Sequence, residues 1–193
     1  MKRKPKNPIH KIRTGTGDTG TTYLQTPGVS KSAPVVQFVG DLDEANASLG
    51  NVAIDRSSIS CDTIDMLLQL KEMLAQSQTI LFEIGAMVHS TDAREQYENN
   101  LSEYVTSVSA GIQKVIEMAV ETSSLKPLEG FIVPNQSNAA EMLSRAVIRR
   151  AERSAINADC LWAVPALNTM SDLLFLIAWH NTAPMEQWSG FKD

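Results

Sequence analysis

Residues 131–153, FIVPNQSNAAEMLSRAVIRRAER, carry the pattern that decides the fold of this chain. Their second half repeats apolar residues every three or four positions, as an amphipathic helix does: Ala139, Met142, Leu143, Ala146, Val147 and Ala151. Ser137 or Asn138 can cap the start of that helix. Pro134 disfavours helix at the residue before it, so Phe131 is predicted to lie on an extended loop. A lone aromatic residue in such a loop is more often part of a core than of a site.

The same helix concentrates positive charge on one side. Its charged residues share a face or lie beside it, because they follow each other at helical spacing: Arg145, Arg149, Arg150, Glu152 and Arg153. Four arginines within three turns can bind an anion. The alternative is a solvated basic face with i,i+4 ion pairs, which is the commoner role of a charge run.

Length and composition predict one globular domain over residues 1–193. A chain of 193 residues with 43% hydrophobic and 20% charged residues can bury a full core. The net charge of -5 provides no overall attraction to nucleic acid or to an anionic membrane. The apolar run at 173–179 is too short for a membrane span, and the basic residues 2–6 lack the apolar region of a secretory signal. Cys61 and Cys160 fit no metal or disulfide pattern, so the cytoplasm is the expected compartment.

Five helical patterns predict an all-α, antiparallel five-helix bundle over 34–184, after a non-helical arm at 1–33 and before a tail at 185–193. The helices are expected from Pro34 onward, over about 62–89 and 94–122, in the arginine stretch, and over about 165–182. The second should turn six residues inward: Ile64, Leu67, Leu74, Leu81, Ile84 and Val88. No stretch has the two-residue period of a strand. The last helix is apolar nearly all round, which indicates a central or interface position.

The arm contains a loop of small hydrogen-bond donors at 14–22, TGTGDTGTT. Backbone N–H groups and hydroxyls without bulk can wrap a polyphosphate. The loop is neither a Walker loop nor a dinucleotide fingerprint, and a flexible tail explains it equally well. Lys31, at the end of the arm, is the nearest cation that follows.

Polar residues interrupt two of the apolar helices. Asp43, Asn46 and Gly50 form a polar and small strip, whose carboxylate can pair with an arginine of another helix or another subunit. The alternative is an exposed acidic turn. Asn168 and Asp172 lie one turn apart in the last helix. Polar groups in an apolar setting need hydrogen bonds, so they either tie the bundle together or bind a ligand.

Six segments in order resemble the PduO-type ATP:cob(I)alamin adenosyltransferases over nearly the whole chain. They are KIRTGTGDTGTT (11–22), VGDLDEANASLG (39–50), ILFEIGAMV (80–88), PLEGFIVP (127–134), RRAER (149–153) and LNTMSDLLF (167–175). The resemblance implies a homotrimer of five-helix bundles with active sites between subunits. It implies transfer of the 5'-deoxyadenosyl group from ATP to cob(I)alamin, with release of triphosphate and help from Mg²⁺. A cobalamin reductase or an acceptor mutase is an implied partner; no nucleic acid or membrane is.

The resemblance also implies which residues form the site. The triphosphate would be cradled by Lys31 and the arm loop: Thr14, Gly15, Thr16, Gly17, Asp18, Gly20, Thr21 and Thr22. The nucleotide would be bound from two helices by Arg149, Arg150, Glu152, Arg153 and Asn168. Asp43 and Arg145 would form a salt bridge between subunits, and Phe131 would crowd out the lower axial ligand of cobalamin. Together with Arg149, these three are the candidate catalytic residues, and no protein ligand for a metal is identified.

The chain departs from the family pattern at several positions. Gly15 stands where Arg or Lys is usual, Asn135 and Gln136 replace two glycines, and Thr169 and Trp179 replace arginines. The loop before the arginine helix is also shorter. An active adenosyltransferase is the main interpretation. The alternatives are a non-catalytic paralogue that binds ATP or a corrinoid as a carrier or sensor, and a purely structural trimeric bundle.

Overall fold

The computed structural model describes residues 15, 17–54, 64–121 and 130–181, and the backbone of 187–188. Five helices make up most of the described chain: α1 (Pro34–Leu49), α2 (Ile64–His89), α3 (Thr91–Glu121), α4 (Ala139–Asn157) and α5 (Val164–Asn181). A single 3-10 turn, Leu161–Ala163, leads into α5. The predicted five-helix architecture is therefore confirmed, with each boundary within a few residues of its expected position.

Hydrogen bonds between helices show that the bundle is antiparallel. Ser154 of α4 donates to Asp41 near the start of α1, and Ser144 donates to the Ser48 carbonyl near its end at 3.0 Å. The arm therefore meets the starts of α1, α3 and α5 and the ends of α2 and α4, which we call the arm end of the bundle. Phe131 lies at the opposite end, just before α4.

Helix α5 lies at the centre of the bundle. It packs against α2, α3 and α4, and its buried residues lie on every side of the helix: Ala166, Leu167, Thr169, Met170, Ser171, Leu173, Leu174, Leu176, Ile177, Ala178 and Asn181. This confirms the central position predicted from its composition. By length and composition the stretch Leu161–Asn181 could also cross a membrane, but 61% of its apolar window is buried within the bundle, as in a core helix.

The second half of the arm is a short hairpin anchored to the bundle. Strand β1 (Thr21–Thr22) pairs antiparallel with β2 (Val29–Ser30). Leu24, between the strands, is buried in the core, and the Gln25 amide donates to the Val88 carbonyl at 2.9 Å. Gly28 supports the turn with a positive φ of 81°. A strand of two residues is too short to show an alternating pattern, so the sequence did not predict it.

A second pair of short strands joins the predicted loop to the tail. Strand β3 (Phe131–Ile132) pairs antiparallel with β4 (Gln187–Trp188). Ile132 is buried, whereas the neighbouring Phe131 is 74% exposed. Alternation along the strand therefore directs Phe131 outward.

The loop between β3 and α4 is held by its own side chains. Asn138 is buried and its Oδ1 accepts a hydrogen bond from the Asn135 N–H at 2.8 Å. Asn138 is the N-cap residue, as one of the two predicted alternatives had it, but its side chain makes no capping bond to α4. The side chain instead forms its hydrogen bond with the loop, and this bond holds the backbone that follows Phe131.

The predicted core of α2 is largely correct. Leu67, Leu81, Ile84 and Val88 are buried and Leu74 is half-buried. Ile64 was expected to face inward but is exposed, together with Leu68 one turn later. These two residues share one outer face of the helix.

Candidate functional site

Helix α4 buries polar residues together with apolar ones, and its four arginines occupy exposed or half-buried positions. Its buried residues are Glu141, Ser144, Val147, Ile148, Ala151, Ser154 and Ala155. The predicted apolar stripe was therefore partly wrong, because three of its members are exposed: Ala139, Leu143 and Ala146. The exposed fraction of Leu143 is 66%. The pattern misled because the buried polar residues find hydrogen-bond partners elsewhere in the bundle, so burying them costs little.

Arg145 lies half-buried on the side of α4 that faces α5. Its guanidinium carbon stands 5.4 Å from the centroid of the Phe175 ring, a cation–π contact. Burial lowers the pKa of Arg145, the nearby charge of Arg149 lowers it further, and Asp172 opposes both. The Arg145 Nε has no hydrogen-bond partner within the described ranges. Arg145 and Arg149 are therefore neighbouring cations on this side of the bundle.

The other α4 residues predicted to bind nucleotide lie toward the arm end. Arg149 and Arg153 are exposed, Glu152 is half-buried, and the structure records no ion pair for the two arginines in the part of the chain that it describes. Asn168, in the second turn of α5, is exposed. The sequence suggested a polar group in an apolar setting there, yet the polar residues that α5 buries are Thr169, Ser171 and Asn181.

Arg150 does not join this group. Its guanidinium forms ion pairs with Asp41, with Nε at 3.5 Å from Oδ1, and with Glu44, both on α1. The hydrogen bond to Glu44 raises the pKa of Arg150. Successive helix residues are turned about 100° apart, so Arg150 faces α1 while Arg149 faces away. The role of Arg150 at the nucleotide stays a prediction.

Asp43 lies on a different face of the bundle, in a cleft between α1 and α2. The cleft has a volume of about 580 Å³ and is lined by Asp43, Asn46, Ala47, Gly50, Ala75, Gln78, Thr79 and Phe82. Asp43 has no ion pair within the described ranges, and Asn46 Oδ1 is buried without a hydrogen bond there. Arg145 is not among the lining residues, so one chain does not bring Asp43 and Arg145 together.

The arm loop is built from two consecutive tight turns. The Asp18 N–H donates to the Gly15 carbonyl and the Gly20 N–H to the Gly17 carbonyl, each at 3.2 Å. Gly15 and Gly20 have φ of 71° and 83°, a conformation that favours glycine. The next residues, Thr21 and Thr22, form β1. Thr14 and Thr16 lie outside the described residues.

Lys31 reaches back over this loop. Its Nζ would stand 2.7 Å from a Cβ at Gly17, so only glycine leaves room for the ammonium group. The Lys31 N–H also donates to the Gly20 carbonyl at 2.9 Å. The loop and its predicted cation therefore form one hydrogen-bonded structural unit over residues 17–31.

Comparison with known proteins identifies the family. The family model described as cobalamin adenosyltransferase matches residues 12–181. The chain belongs to the cobalamin adenosyltransferase family.

Curated relatives and solved structures agree with this assignment. The corrinoid adenosyltransferase PduO of Citrobacter freundii is 32% identical over 177 residues, which cover 86% of this chain and 48% of that protein. The PduO of Salmonella typhimurium shares the same coverage, so the chain spans about half the length of these two relatives. The cobalamin adenosyltransferase of Cupriavidus metallidurans is 29% identical over 89% of this chain and 88% of its own.

The fold has solved counterparts. A variant PduO-type ATP:corrinoid adenosyltransferase from Lactobacillus reuteri, complexed with cobalamin and ATP, has a TM-score of 0.63 and 23% identity over 93% of this chain and 100% of that one. A second variant of that enzyme, complexed with ATP, has a TM-score of 0.62, 23% identity, and coverage of 92% and 99%. At this identity the likeness concerns the fold.

Two departures from the pattern of the cobalamin adenosyltransferases lie at packed positions of α5. Thr169 is buried and its hydroxyl donates to the Pro165 carbonyl at 2.9 Å, within α5. Trp179 is half-buried against the core. Neither position is freely exposed, so these replacements remove charge from the packed helix rather than from the exposed arginine face.

Sequence reasoning missed the buried polar residues that align the helices. Asp41 and Glu141 are 3% and 2% exposed, and each accepts hydrogen bonds from two or more partners. Asn181, buried at the end of α5, donates to Glu141. Their only sequence signal is a polar residue at an inward helical position, such as Asp41 beside Leu42 and Ala45. No group of three potential metal-binding side chains occurs among the described residues.

Proposed function

We propose that this protein transfers the 5'-deoxyadenosyl group of ATP to cob(I)alamin, forming adenosylcobalamin and releasing triphosphate. The observation that carries the proposal is the pair of exposed arginines on α4, Arg149 and Arg153, which have no ion pair within the described ranges and lie at the same end of the bundle as the glycine-rich arm loop. Family membership supplies the chemistry that such a site would serve.

Triphosphate is the leaving group, so negative charge grows on its oxygens as the bond to C5' breaks. Fixed cations and N–H dipoles that face this charge lower the barrier. Arg149 and Arg153 would supply the cations from α4, with Glu152 and Asn168 beside the nucleotide. The turns at Gly15 to Gly20 and the ammonium of Lys31 would hold the phosphates from the arm. Thr14 and Thr16 would extend the same cradle.

The new bond forms between cobalt and C5', and the electron pair comes from the cob(I)alamin substrate. The protein contributes by holding the two reactants in line. ATP would be taken as its Mg²⁺ complex, since Mg²⁺ is commonly held by substrate phosphates, water and one or two carboxylates. Asp18 is the carboxylate of the arm loop.

We further propose a homotrimer with the active sites between subunits, joined by Asp43 of one subunit and Arg145 of the next. Each residue lacks an ion pair within its own described chain, and they lie on different faces of the bundle. A head-to-tail contact between such faces closes into a ring of three when it rotates each subunit by a third of a turn from the last. Exchanging the two charges tests the pairing. Asp43→Arg or Arg145→Asp alone should lower both the molecular mass measured by light scattering and the turnover rate. The double variant should restore both quantities. A double variant that stays as impaired as the single variants contradicts the pairing.

Phe131 is proposed to press against the lower face of the corrin. It is exposed, and its loop is held by β3 and Asn138, so the ring can contact a ligand without unfolding anything. An aromatic ring offers cobalt no ligand atom and excludes water. That favours the four-coordinate substrate, whose reduction is less uphill.

The reaction is proposed for the cytoplasm, because cob(I)alamin must be generated and kept in a strongly reducing setting. A cobalamin reductase would supply the electron, and a mutase that uses adenosylcobalamin would accept the product.

An anaerobic assay with reduced cobalamin and MgATP tests the function, with the visible spectrum reporting the alkylated product. We expect product from the wild type, and a loss on the order of tenfold or more with Arg149→Ala. Lys114→Ala removes an exposed cation from α3 and is the matched control, with unchanged turnover expected. Wild-type protein that binds ATP but forms no product would instead support the carrier or sensor interpretation. The replacement of the usual Arg or Lys by Gly15 favours that alternative.

A further inference from the structure

Asp41 is a buried carboxylate in the seam between α1 and α4. Its Oδ1 accepts a hydrogen bond from the Gln37 amide at 2.9 Å and lies 3.5 Å from Arg150 Nε. Its Oδ2 accepts from the Ser154 hydroxyl. Both oxygens are therefore engaged, and two of the three partners belong to α4. We call Asp41, Arg150 and Ser154 the seam clamp.

Packing alone does not explain a charged group at this position. Val147, Ile148 and Ala151 already pack α4 against the core. A buried ion pair seldom stabilises more than well-packed apolar residues of similar size would, because desolvation is costly. Hydrogen bonds restrict the orientation of α4 relative to α1, because they form only within a narrow range of distance and angle.

The two α4 residues of the clamp immediately follow the two arginines proposed to bind phosphate. Arg150 follows Arg149, and Ser154 follows Arg153. Each residue is turned about 100° from the one before it. Fixing Arg150 and Ser154 against α1 therefore fixes the rotation of α4 about its axis, and with it the direction of both neighbouring arginines.

We propose that Asp41 is a positioning residue for the triphosphate: through the seam clamp it sets the rotation of α4 and so aims Arg149 and Arg153. This inference rests on the proposed function. Asp41 itself does not touch the nucleotide. Its contribution is to fix the backbone positions from which the exposed side chains of Arg149 and Arg153 extend.

The test compares Asp41→Asn with Asp41→Leu. Asparagine keeps an acceptor oxygen but removes the charge that pairs with Arg150. Leucine keeps the branched shape, with methyl groups in place of the oxygens, and abolishes the clamp. Ser154→Ala removes a single hydrogen bond and serves if either variant at Asp41 fails to fold. Asp92→Asn, at an exposed carboxylate in the first turn of α3, is the control.

Affinity for inorganic triphosphate is measured by calorimetry, and the KM values for MgATP and cob(I)alamin are measured separately. We expect Asp41→Leu to weaken triphosphate binding and raise the KM for MgATP on the order of tenfold, because small displacements of charged groups are costly. Asp41→Asn and Ser154→Ala should fall between this variant and the wild type. The KM for cob(I)alamin and the Asp92→Asn control should be unchanged.

Two results would overturn the inference in distinguishable ways. If the variants lose thermal stability but bind triphosphate as tightly as the wild type, Asp41 is only structural and the proposed function stands. If the wild type itself binds no triphosphate and Arg149→Ala behaves identically, the proposed function fails and the role of Asp41 fails with it.

Discussion

Glu141 joins three segments at the end of the bundle opposite the arm. It lies in the first turn of α4, and its Oε1 accepts hydrogen bonds from the Ala53 N–H at 3.3 Å and from the Asn181 amide at 3.2 Å. The same amide donates to the Ala53 carbonyl at 2.6 Å. The carboxylate thus ties the segment after α1 and the end of α5 to the start of α4.

The pH dependence of this tie follows from burial. Burial raises the pKa of Glu141, and the hydrogen bonds from its own backbone, Ala53 and Asn181 oppose the rise without cancelling it. The folded protein therefore holds this proton more tightly than the unfolded chain does. Its contribution to stability is greatest at low pH and is lost as the pH rises through the folded-state pKa. Each tenfold difference in proton affinity between the two states corresponds to about 1.4 kcal/mol.

Two substitutions separate charge from hydrogen bonding. Glu141→Gln keeps an acceptor for both donors and cannot ionise, so we expect it to remove this part of the loss of stability as the pH rises above the usual range of a glutamate pKa. Glu141→Ala leaves two buried donors without their acceptor, at about 1–3 kcal/mol each. Because Asn181 retains the Ala53 carbonyl, we expect a total near 2–4 kcal/mol, or a fall in Tm of roughly 5–15 °C for a chain of this size.

Thermal unfolding followed by circular dichroism at several pH values checks both expectations. Protein concentration must be held constant, since assembly would make Tm depend on it. Glu98→Gln, at an exposed position on α3, is the control for the loss of one carboxylate. The reasoning is refuted if Glu141→Gln keeps the pH dependence of the wild type, or if Glu141→Ala costs no more than the control.

Three further predictions concern the arm, the core and the corrin side. Gly17→Ala should displace the Lys31 ammonium and weaken triphosphate binding in calorimetry, while Tm barely changes because a flexible side chain can move aside. Tyr104→Phe should lower the free energy of unfolding by about 1 kcal/mol in denaturant titrations. Ser77→Ala should lower it more, by about 1–3 kcal/mol, because it leaves the buried Tyr104 hydroxyl without the Ser77 hydroxyl 2.6 Å away. Equal losses for the two variants would contradict this. Phe131→Ala should leave Tm and ATP affinity intact and lower turnover about tenfold or more at the reduction step, which electron paramagnetic resonance of cob(II)alamin with protein and ATP would report as loss of the four-coordinate species.

Local pattern was sufficient for much of this protein. The helices, the glycine-rich loop and the central place of α5 follow from hydrophobic spacing and backbone preferences, which act over a few neighbouring residues. The outward position of Arg145 and Arg149 on one face also follows from helical spacing alone. The resemblance of six segments to one family is likewise a property of the order of residues.

Tertiary structure decided which side of α4 is buried and what its charges do. The exposed Leu143 and the buried Glu141 reverse the expectation from polarity, because Ala53 and Asn181 satisfy the carboxylate. Arg150 is indistinguishable from Arg149 in sequence, yet Asp41 on α1 engages it. The energy of burying a polar group depends on partners far along the chain, and no local pattern contains those partners.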